Sequence, residues 1–188
     1  MRFKLILSAL CLLSIQAFSQ SKNNISVVYG FASNTIDIHG AIGDYGYANK
    51  SGIMYGLSYT RDLAKSFSIE TGLIYANHQA EVHYIVGGLG EQKRSGEIHL
   101  ISVPLYARYT FLKYLFLQGG FSLDHQTNYT RESVANDQSG LGLEFGVGGK
   151  INLGQFSVFA NPYFCNHNFS GTNNLMETGV KFGAGFNF

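Results

Sequence analysis

The last ten residues of the chain constrain its fold more than any other segment. Every second residue from Val180 to Phe188 is apolar, whereas the residues between them and before them are three glycines, Lys181 and Asn187. A period of two is that of a β-strand, whose successive side chains point to opposite faces. One unbroken apolar face opposite a polar face is typical of a barrel strand that crosses a membrane. The pattern therefore predicts a transmembrane strand at the C terminus.

The N-terminal segment has the pattern of a signal peptide. Arg2 and Lys4 precede a mainly apolar run, and the sequence Ala-Phe-Ser that ends at Ser19 is a small-x-small cleavage site. We expect residues 1–19 to be removed after export. The mature domain would then comprise residues 20–188.

The mature chain would carry almost no net charge. Loss of Arg2 and Lys4 leaves 11 basic against 12 acidic residues, because no acidic residue lies in the signal. This balance gives no electrostatic reason to expect nucleic acid as a partner. Of the two cysteines only Cys165 would remain, so an internal disulfide is excluded. We expect its thiol to be packed rather than reactive.

Period-two alternation recurs along the whole mature chain. The eight alternating segments are 25–32, 52–60, 67–77, 97–109, 114–128, 140–152, 156–166 and 179–188. With 23 Gly, 12 Tyr and 15 Phe but only 2 Pro, the composition suits many strands separated by turns. No run of about eighteen apolar residues follows the signal, so no membrane-spanning helix is expected. We predict an all-β fold, an eight-stranded antiparallel up-and-down transmembrane β-barrel.

The connections between these segments alternate in length. The short ones are 61–66, 111–113 and 153–155, and the long ones are 33–51, 78–96, 129–139 and 167–175. Short periplasmic turns and longer extracellular loops are the usual asymmetry of bacterial outer-membrane barrels. Both chain ends would then lie in the periplasm. Pairing of the first strand with the last would leave no unsatisfied backbone edge in lipid.

The signal peptide, the eight segments, the sequence Val-Pro-Leu-Tyr-Ala-Arg-Tyr at 103–109 and the terminal Phe188 together carry a resemblance. The chain resembles the small eight-stranded outer-membrane β-barrel proteins of Gram-negative bacteria, the OmpX-like and PorT-like group. The resemblance implies a location in the bacterial outer membrane, among its lipid and lipopolysaccharide. It also implies that the barrel-assembly machinery reads Phe182, Phe186 and Phe188 as a C-terminal signal. Because the group includes adhesion proteins, structural barrels and lipid-modifying enzymes, it implies no single activity.

Charged residues lie on the inward faces of the predicted strands, and those assigned to the lumen network are Glu70, Arg108, Asp124, Glu144 and Lys181. The interior of an eight-stranded barrel is just wide enough for side chains to fill it, and buried charges persist when they are paired. Counting from the middle of the intervening loop sets Asp124 almost opposite Glu144. One interpretation is that these carboxylates share a proton for acid–base catalysis. We favour the other interpretation, in which Lys181 neutralises both, Glu70 lies near Arg108, and a structural polar network leaves no wide pore.

All six histidines fall in the outer halves of strands or in the long loops. They are His39, His78, His83, His99, His125 and His167. One interpretation is a loop-borne site for a transition metal, with imidazole ligands. The histidines lack the close paired spacing of a strong metal motif, so we expect surface histidines, and neither a metal nor a cofactor.

A lipid-modifying enzyme is the main alternative to a binding protein. His125 and Thr127 lie on the predicted lipid-facing side near the outer rim. They resemble the His-x-Ser pair of lipid A deacylase barrels, with threonine in place of the serine. The nearest acids, Glu132 in the loop and Glu144 in the lumen, do not supply the third group that activates such a nucleophile. We therefore expect no catalytic residues.

The sequence favours a structural or loop-mediated binding role, with an unspecified extracellular ligand. A second alternative is a barrel that docks to a periplasmic secretion complex through the turn at 61–66 and Lys113. A soluble lipocalin-like protein would need the apolar faces to point inward. Its exterior would then be glycine-rich and sparsely charged, which does not suit a surface in water.

Overall fold

The strands form a closed, entirely antiparallel barrel in the computed structural model, which describes residues 23–38, 46–47, 50–86, 90–130, 136–169 and 173–188. The strands are β1 (Asn23–Ile38), β2 (Gly46–Tyr47), β3 (Lys50–Ala64), β4 (Phe67–Val86), β5 (Gly90–Phe111), β6 (Leu115–Gln126), β7 (Gly140–Leu153), β8 (Phe156–His167) and β9 (Asn173–Asn187). The predicted signal peptide lies outside the described residues.

Eight long strands close the ring. Their order is β4-β3-β1-β9-β8-β7-β6-β5, and pairing of β4 with β5 completes the circle. The two-residue strand β2 pairs with β4 beyond the end of the β3–β4 ladder and is not part of the ring. Asn23 at the start of β1 and Phe188 just after β9 exchange two backbone hydrogen bonds, of 3.1 and 2.9 Å. The first strand therefore pairs with the last, as predicted, and the backbone hydrogen bonds are made within the sheet.

The predicted alternation of faces is confirmed. Outward side chains such as Leu57 and Leu105 are more than half exposed, whereas Phe116 and Leu100 point inward and are completely buried. An exposed apolar band around a filled interior is the arrangement of a barrel that faces lipid. None of the described residues belongs to a helix long and apolar enough to cross a membrane.

The barrel has two different ends. The turn end carries the connections 65–66, 112–114 and 154–155 together with Asn23 and Phe188, close to where the sequence places the short turns. Gly154 adopts a φ of 66°, a left-handed conformation that glycine adopts without a steric cost. The opposite end, here called the loop end, carries the other four connections.

The strands reach further at the loop end than the sequence predicts. In β4 and β5 the outward apolar positions stop at Tyr75 and Ile101, and Asn77 opposite His99 begins a polar stretch. The two strands nevertheless stay paired for ten residue pairs, from Asn77↔His99 to Val86↔Gly90. At roughly 3.3 Å per residue this segment, here called the outer hairpin, continues for about 30 Å along the strand direction beyond the apolar band.

The prediction of a long loop at 78–96 is therefore wrong, since only 87–89 lie between β4 and β5. The loops predicted at 33–51 and 167–175 are also partly strand, because β1 continues to Ile38 and β9 begins at Asn173. Outside the lipid a strand needs no apolar face. The alternation therefore ends while the hydrogen-bonded ladder continues.

Candidate functional site

All five charged residues that the sequence assigns to the lumen are buried inside the barrel. They separate into three groups along the barrel axis. Glu70 and Arg108 lie towards the turn end, Glu144 and Lys181 lie near the middle, and Asp124 lies towards the loop end, with a set of partners that the sequence did not suggest.

The group near the turn end is a buried ion pair with additional partners. The Arg108 guanidinium contacts the Glu70 carboxylate from one diagonal step across the β4–β5 ladder. Thr60 Oγ1 donates a hydrogen bond of 3.2 Å to Glu70, and Arg108 donates to Gln118 Oε1 at 3.1 and 2.7 Å. The guanidinium also lies over the Phe116 ring, 4.3 Å from its centroid. The pair is thus neutral, hydrogen-bonded and packed.

The middle group centres on Glu144. Lys181 Nζ lies 2.5 Å from Glu144 Oε2, and the Tyr106 hydroxyl donates to the same oxygen at 2.7 Å. Lys181 also lies over the Tyr163 ring, 4.3 Å from the centroid. Lys181 therefore reaches across the interior, but to one carboxylate and not to two.

Asp124 and Glu144 are not opposite each other. Asp124 pairs with Gly140, and Glu144 pairs with Gly120, so the predicted juxtaposition is wrong. Symmetry about the middle of the β6–β7 connection would set Asp124 near Glu144. The observed register instead sets Asp124 opposite Gly140, which is four residues before Glu144. A proton-sharing pair of these two carboxylates is not formed, and each has its own partner.

Asp124 belongs to a buried cluster at the loop end of the lumen. His167 Nδ1 lies 2.6 Å from Asp124 Oδ2, and His167 Nε2 lies 3.2 Å from Glu177 Oε2. His78 Nε2 lies 3.2 Å from the same Glu177 oxygen, and its Nδ1 lies 3.1 Å from Asn34 Oδ1. We call His78, Asp124, His167 and Glu177 the histidine–carboxylate cluster. It joins β4, β6, β8 and β9 across the interior.

Two inward glycines leave the space that this cluster occupies. A Cβ atom on Gly52 would lie 2.6 Å from His78 Nδ1, and one on Gly142 would lie 2.6 Å from Asp124 Oδ2. Larger residues at either position would displace the imidazole or the carboxylate. The glycine-rich inward faces that the sequence shows therefore accommodate long polar side chains from neighbouring strands.

Two more side chains complete the surroundings of the cluster. The Tyr163 hydroxyl donates to Glu177 Oε1, which leaves Oε2 to face both histidines. Cys165 is buried in the lumen with its Sγ 4.0 Å from His167 Nδ1. The expectation of a packed thiol agrees with this burial.

The loop end of the lumen is covered. Five apolar side chains pack together above the cluster, namely Ile36, Ala80, Ile98, Leu100 and Leu175. Gln138, which is fully buried, donates its backbone N–H to Gln126 at 2.8 Å and accepts a bond of 2.9 Å from the backbone of Leu175. One cavity, lined by Tyr106, Glu144, His167 and their neighbours, measures about 20 Å³. That volume holds about one water molecule.

The expectation of surface histidines is wrong for two of the six. His78 is fully buried, and His167 is 6% exposed, because both occupy inward positions just beyond the predicted strand ends. His125 is exposed as expected, and His99 is partly exposed. His39 lies outside the described residues, and only the backbone of His83 is described.

His125 and Thr127 do not form a catalytic arrangement among the described residues. Both are exposed, whereas Glu144 is buried in the lumen, and Glu132 lies outside the described residues. Thr127 Oγ1 is 3.5 Å from the backbone oxygen of His99. Within the described chain no hydrogen bond joins the His125 ring to Thr127 or to a carboxylate.

The three C-terminal phenylalanines lie on the outside of β9 or at its end. Phe182 and Phe186 are 48% and 42% exposed, and the Phe186 ring packs edge-on against Phe156 at 5.7 Å. Phe188 is held by its backbone to Asn23. Their role as an assembly signal stays a prediction.

The closed antiparallel barrel and its exposed apolar band lead to the family. Residues 5–188 match the family model of the outer membrane protein beta-barrel domain. The chain belongs to this family. It is accordingly an outer-membrane protein, and its apolar band faces outer-membrane lipid. A comparison with curated proteins gave no match.

Several solved structures resemble the chain at low sequence identity. OprG from Pseudomonas aeruginosa is 19% identical, with 88% of this chain and 96% of that chain covered and a TM-score of 0.47. Ail of Yersinia pestis, solved with the heparin analogue sucrose octasulfate, is 16% identical over 89% and 99% of the two chains, with a TM-score of 0.47. The N-terminal barrel of Pseudomonas aeruginosa OprF is 18% identical over 87% and 97%, with a TM-score of 0.44.

Proposed function

We propose that this protein is a closed surface barrel that binds an extended peptide segment of an extracellular partner along its outer hairpin. It acts neither as a channel nor as an enzyme. The observation that carries the proposal is the paired run of β4 and β5 that continues for ten residue pairs beyond the apolar band. A transmembrane role alone does not need this length.

The filled lumen supports a binding role over transport. Two ion pairs, the histidine–carboxylate cluster and the apolar cover occupy the described lumen, and the cavity lined by Tyr106, Glu144 and His167 measures about 20 Å³. A solute path through a barrel requires a continuous water-filled interior, as in barrels with many more strands. In planar lipid bilayers the purified barrel should show no steady conductance.

Polar cross-strand contacts support an ordered hairpin outside the lipid. Lys50 Nζ lies 2.8 Å from Glu81 Oε2, and Ser95 Oγ donates to the same carboxylate at 3.2 Å. Glu97 accepts hydrogen bonds from Asn77 at 3.4 Å and from His99 at 3.0 Å, and these bonds, that of His99 above all, lower the pKa of its carboxyl group. Opposite or hydrogen-bonded partners across a strand pair stabilise it in water.

Beyond Glu97, one edge of the hairpin has no strand partner among the described residues. The ladder between β5 and β6 ends where Thr127 donates to the His99 oxygen at 2.9 Å. The Asn128 side chain then accepts from His99 N at 3.0 Å and donates to Glu97 O at 2.7 Å, in the manner of one more strand residue. Because backbone groups alternate sides along a strand, those of Lys93 point to this same edge. No described strand pairs with it there.

An open strand edge is a binding surface for another extended chain. Addition of a strand to such an edge supplies main-chain hydrogen bonds, while side chains on either face provide selectivity. The mixed charges of the hairpin, which include Glu81, Lys93 and Glu97, suit polar peptide partners. We propose that the partner docks along the β5 edge from Lys93 outward.

The test compares two substitutions at one position. Lys93→Pro removes the edge N–H, whereas Lys93→Ala removes only the side chain, and proline is tolerated at a strand edge. Labelled wild-type barrel is applied to an array of random peptides, followed by both variants. We expect Lys93→Pro to lower the affinity for the selected peptides at least about tenfold, which is the effect of losing one or two net hydrogen bonds. Lys93→Ala should bind these peptides with the affinity of the wild type.

Three results would contradict the proposal. They are an array without any bound peptide, equal binding by Lys93→Pro and the wild type, and peptides that also bind a variant whose residues 81–95 are replaced by a short turn. Heat-dependent gel mobility of each purified variant checks that its barrel is folded.

The assembly of the barrel carries a separate proposal. Phe182 and Phe186 present their rings outward on β9, and Phe188 directly follows this strand. We propose that these three rings are the feature that the barrel-assembly machinery recognises. The exposure of two of them on the strand that closes the barrel supports this role.

A further inference from the structure

Three buried side chains in the lumen converge on one point. His78 on β4, His167 on β8 and Glu177 on β9 each direct one ligand atom there, and these atoms all lie within 4.8 Å of one another. Both histidines approach the same Glu177 oxygen through Nε2, at 3.2 Å in each case. We propose that His78, His167 and Glu177 bind one divalent transition-metal ion inside the barrel, with Zn²⁺ as the ion that this donor set suits best.

The separations fit a metal centre. Bonds of 2.0–2.2 Å to histidine nitrogen and carboxylate oxygen place the ligand atoms of a tetrahedral zinc site about 3.4 Å apart. The two Nε2···Oε2 separations of 3.2 Å are close to this value. Two imidazoles and one carboxylate are also a donor set found in zinc sites that keep a fourth position for water. The adjoining cavity, which His167 and Glu177 line, holds about 20 Å³.

Both imidazoles are oriented by contacts at their other nitrogen. His167 Nδ1 lies 2.6 Å from Asp124 Oδ2, and His78 Nδ1 lies 3.1 Å from Asn34 Oδ1. With Nδ1–H donated to these oxygens, each Nε2 carries the lone pair that a metal needs. Such outer contacts are the usual support of metal-bound histidines.

His78 supplies an independent sign of a missing partner. Its side chain is completely buried, and Nε2 makes no hydrogen bond, since its approach to Glu177 lacks the required geometry. Buried polar atoms without a partner are rare and costly. A metal ion at the point of convergence would satisfy this nitrogen.

The charge balance of the lumen also favours a bound divalent cation. Arg108 is paired with Glu70, and Lys181 is paired with Glu144. Among the described residues no lysine or arginine forms an ion pair with Asp124 or Glu177. One divalent cation carries the charge that balances these two carboxylates, and uncompensated charge is costly inside a barrel.

The position of the site assigns it a structural role. β4 is separated from β9 by β3 and β1 in the ring, so the ion would connect opposite walls of the barrel. The apolar cover formed by Ile36, Ile98, Leu100 and their neighbours closes the site from the loop end. We therefore expect the ion to enter while the barrel folds and to raise the temperature at which it unfolds.

Cobalt provides a direct probe. The mature barrel is refolded from urea into detergent after treatment with a chelator, once without metal and once with Co²⁺. We expect visible absorption of Co²⁺ in a low-symmetry site, saturation at about one ion per barrel, and displacement by Zn²⁺. A wild-type barrel that shows no such absorption, or whose unfolding temperature is unchanged by Zn²⁺, would overturn the proposal.

Variants separate the lumen site from surface histidines. His78→Gln and Glu177→Gln should weaken Co²⁺ binding at least about a hundredfold, and Asp124→Asn about tenfold to a hundredfold through the orientation of His167. His125→Gln, which changes an exposed histidine, is the matched control and should bind as the wild type does. Equal binding by His78→Gln and His125→Gln would show adventitious surface binding and overturn the proposal. If a lumen variant does not fold, the wild-type titration still decides.

Discussion

Removal of one member of the Glu70–Arg108 ion pair should destabilise the barrel strongly. Removal of both members should destabilise it less. In Arg108→Met the Glu70 carboxylate stays buried with Thr60 as its remaining hydrogen-bond donor, and Gln118 loses both bonds from the guanidinium. Removal of one member of a buried pair costs about 3–5 kcal/mol. Methionine keeps most of the side-chain volume over Phe116, so a cavity should add little.

The double variant tests whether the penalty comes from the unpaired charge. In Glu70→Met/Arg108→Met no charge is left, and replacement of a buried pair by apolar side chains is often neutral. Thr60 and Gln118 lose partners, which costs about 1 kcal/mol for each. We therefore expect a loss of roughly 2 kcal/mol, less than that of Arg108→Met alone.

The measurement is urea-induced unfolding of the refolded barrel in detergent. Because the chain contains no tryptophan, tyrosine fluorescence and the heat-dependent gel shift report the folded fraction. Leu105→Met, at an outward position that is 61% exposed, serves as the control and should change the free energy of unfolding by less than about 1 kcal/mol. The reasoning is refuted if Arg108→Met changes the free energy of unfolding as little as this control does. It is also refuted if the double variant loses as much free energy of unfolding as Arg108→Met and Glu70→Met lose together.

Three further predictions follow from the fold. Gly56→Ala should lower the urea midpoint of unfolding, because its Cβ would lie 2.2 Å from the Leu73 carbonyl oxygen. Gly149→Ala is the control, because its Cβ would have no neighbour nearer than 3.8 Å. Equal midpoints for the two variants would contradict this prediction. Phe188→Ser should lower the amount of barrel in the outer membrane of cells without impairing refolding in detergent. An unchanged amount in the outer membrane would contradict the proposed role of Phe188 in the assembly signal. Mass spectrometry of the mature protein should show cleavage after Ser19, and any retained signal would contradict it.

The closed barrel was predictable from the sequence because lipid imposes a strict rule on each strand. An outward position in the band must be apolar, and the eight segments show that rule repeatedly, as in Leu115, Leu117 and Leu123 of β6. Beyond the band the rule no longer applies. The outer hairpin was therefore read as a loop, although its backbone pairs without interruption to Val86.

The histidine–carboxylate cluster was missed for two physical reasons. His78 and Glu177 lie in phase with the inward faces of β4 and β9, so continuing the alternation one residue pair further would have placed them inside. Their convergence is a different matter. It depends on the register around the whole ring, which hydrogen bonding between β4, β3, β1 and β9 sets and no single segment encodes.

The contacts of Glu177 bear on how the chain reaches its final state. This carboxylate lies on β9 and is approached by His78 from the distant strand β4 and by Tyr163 and His167 from the preceding strand β8. A nascent sheet that still lacks β9 would keep these groups hydrated, with an interior accessible to water. Arrival of the final strand would seal the seam and dehydrate the interior in one event. Barrel closure and core formation should consequently be a single cooperative step with few long-lived half-open forms.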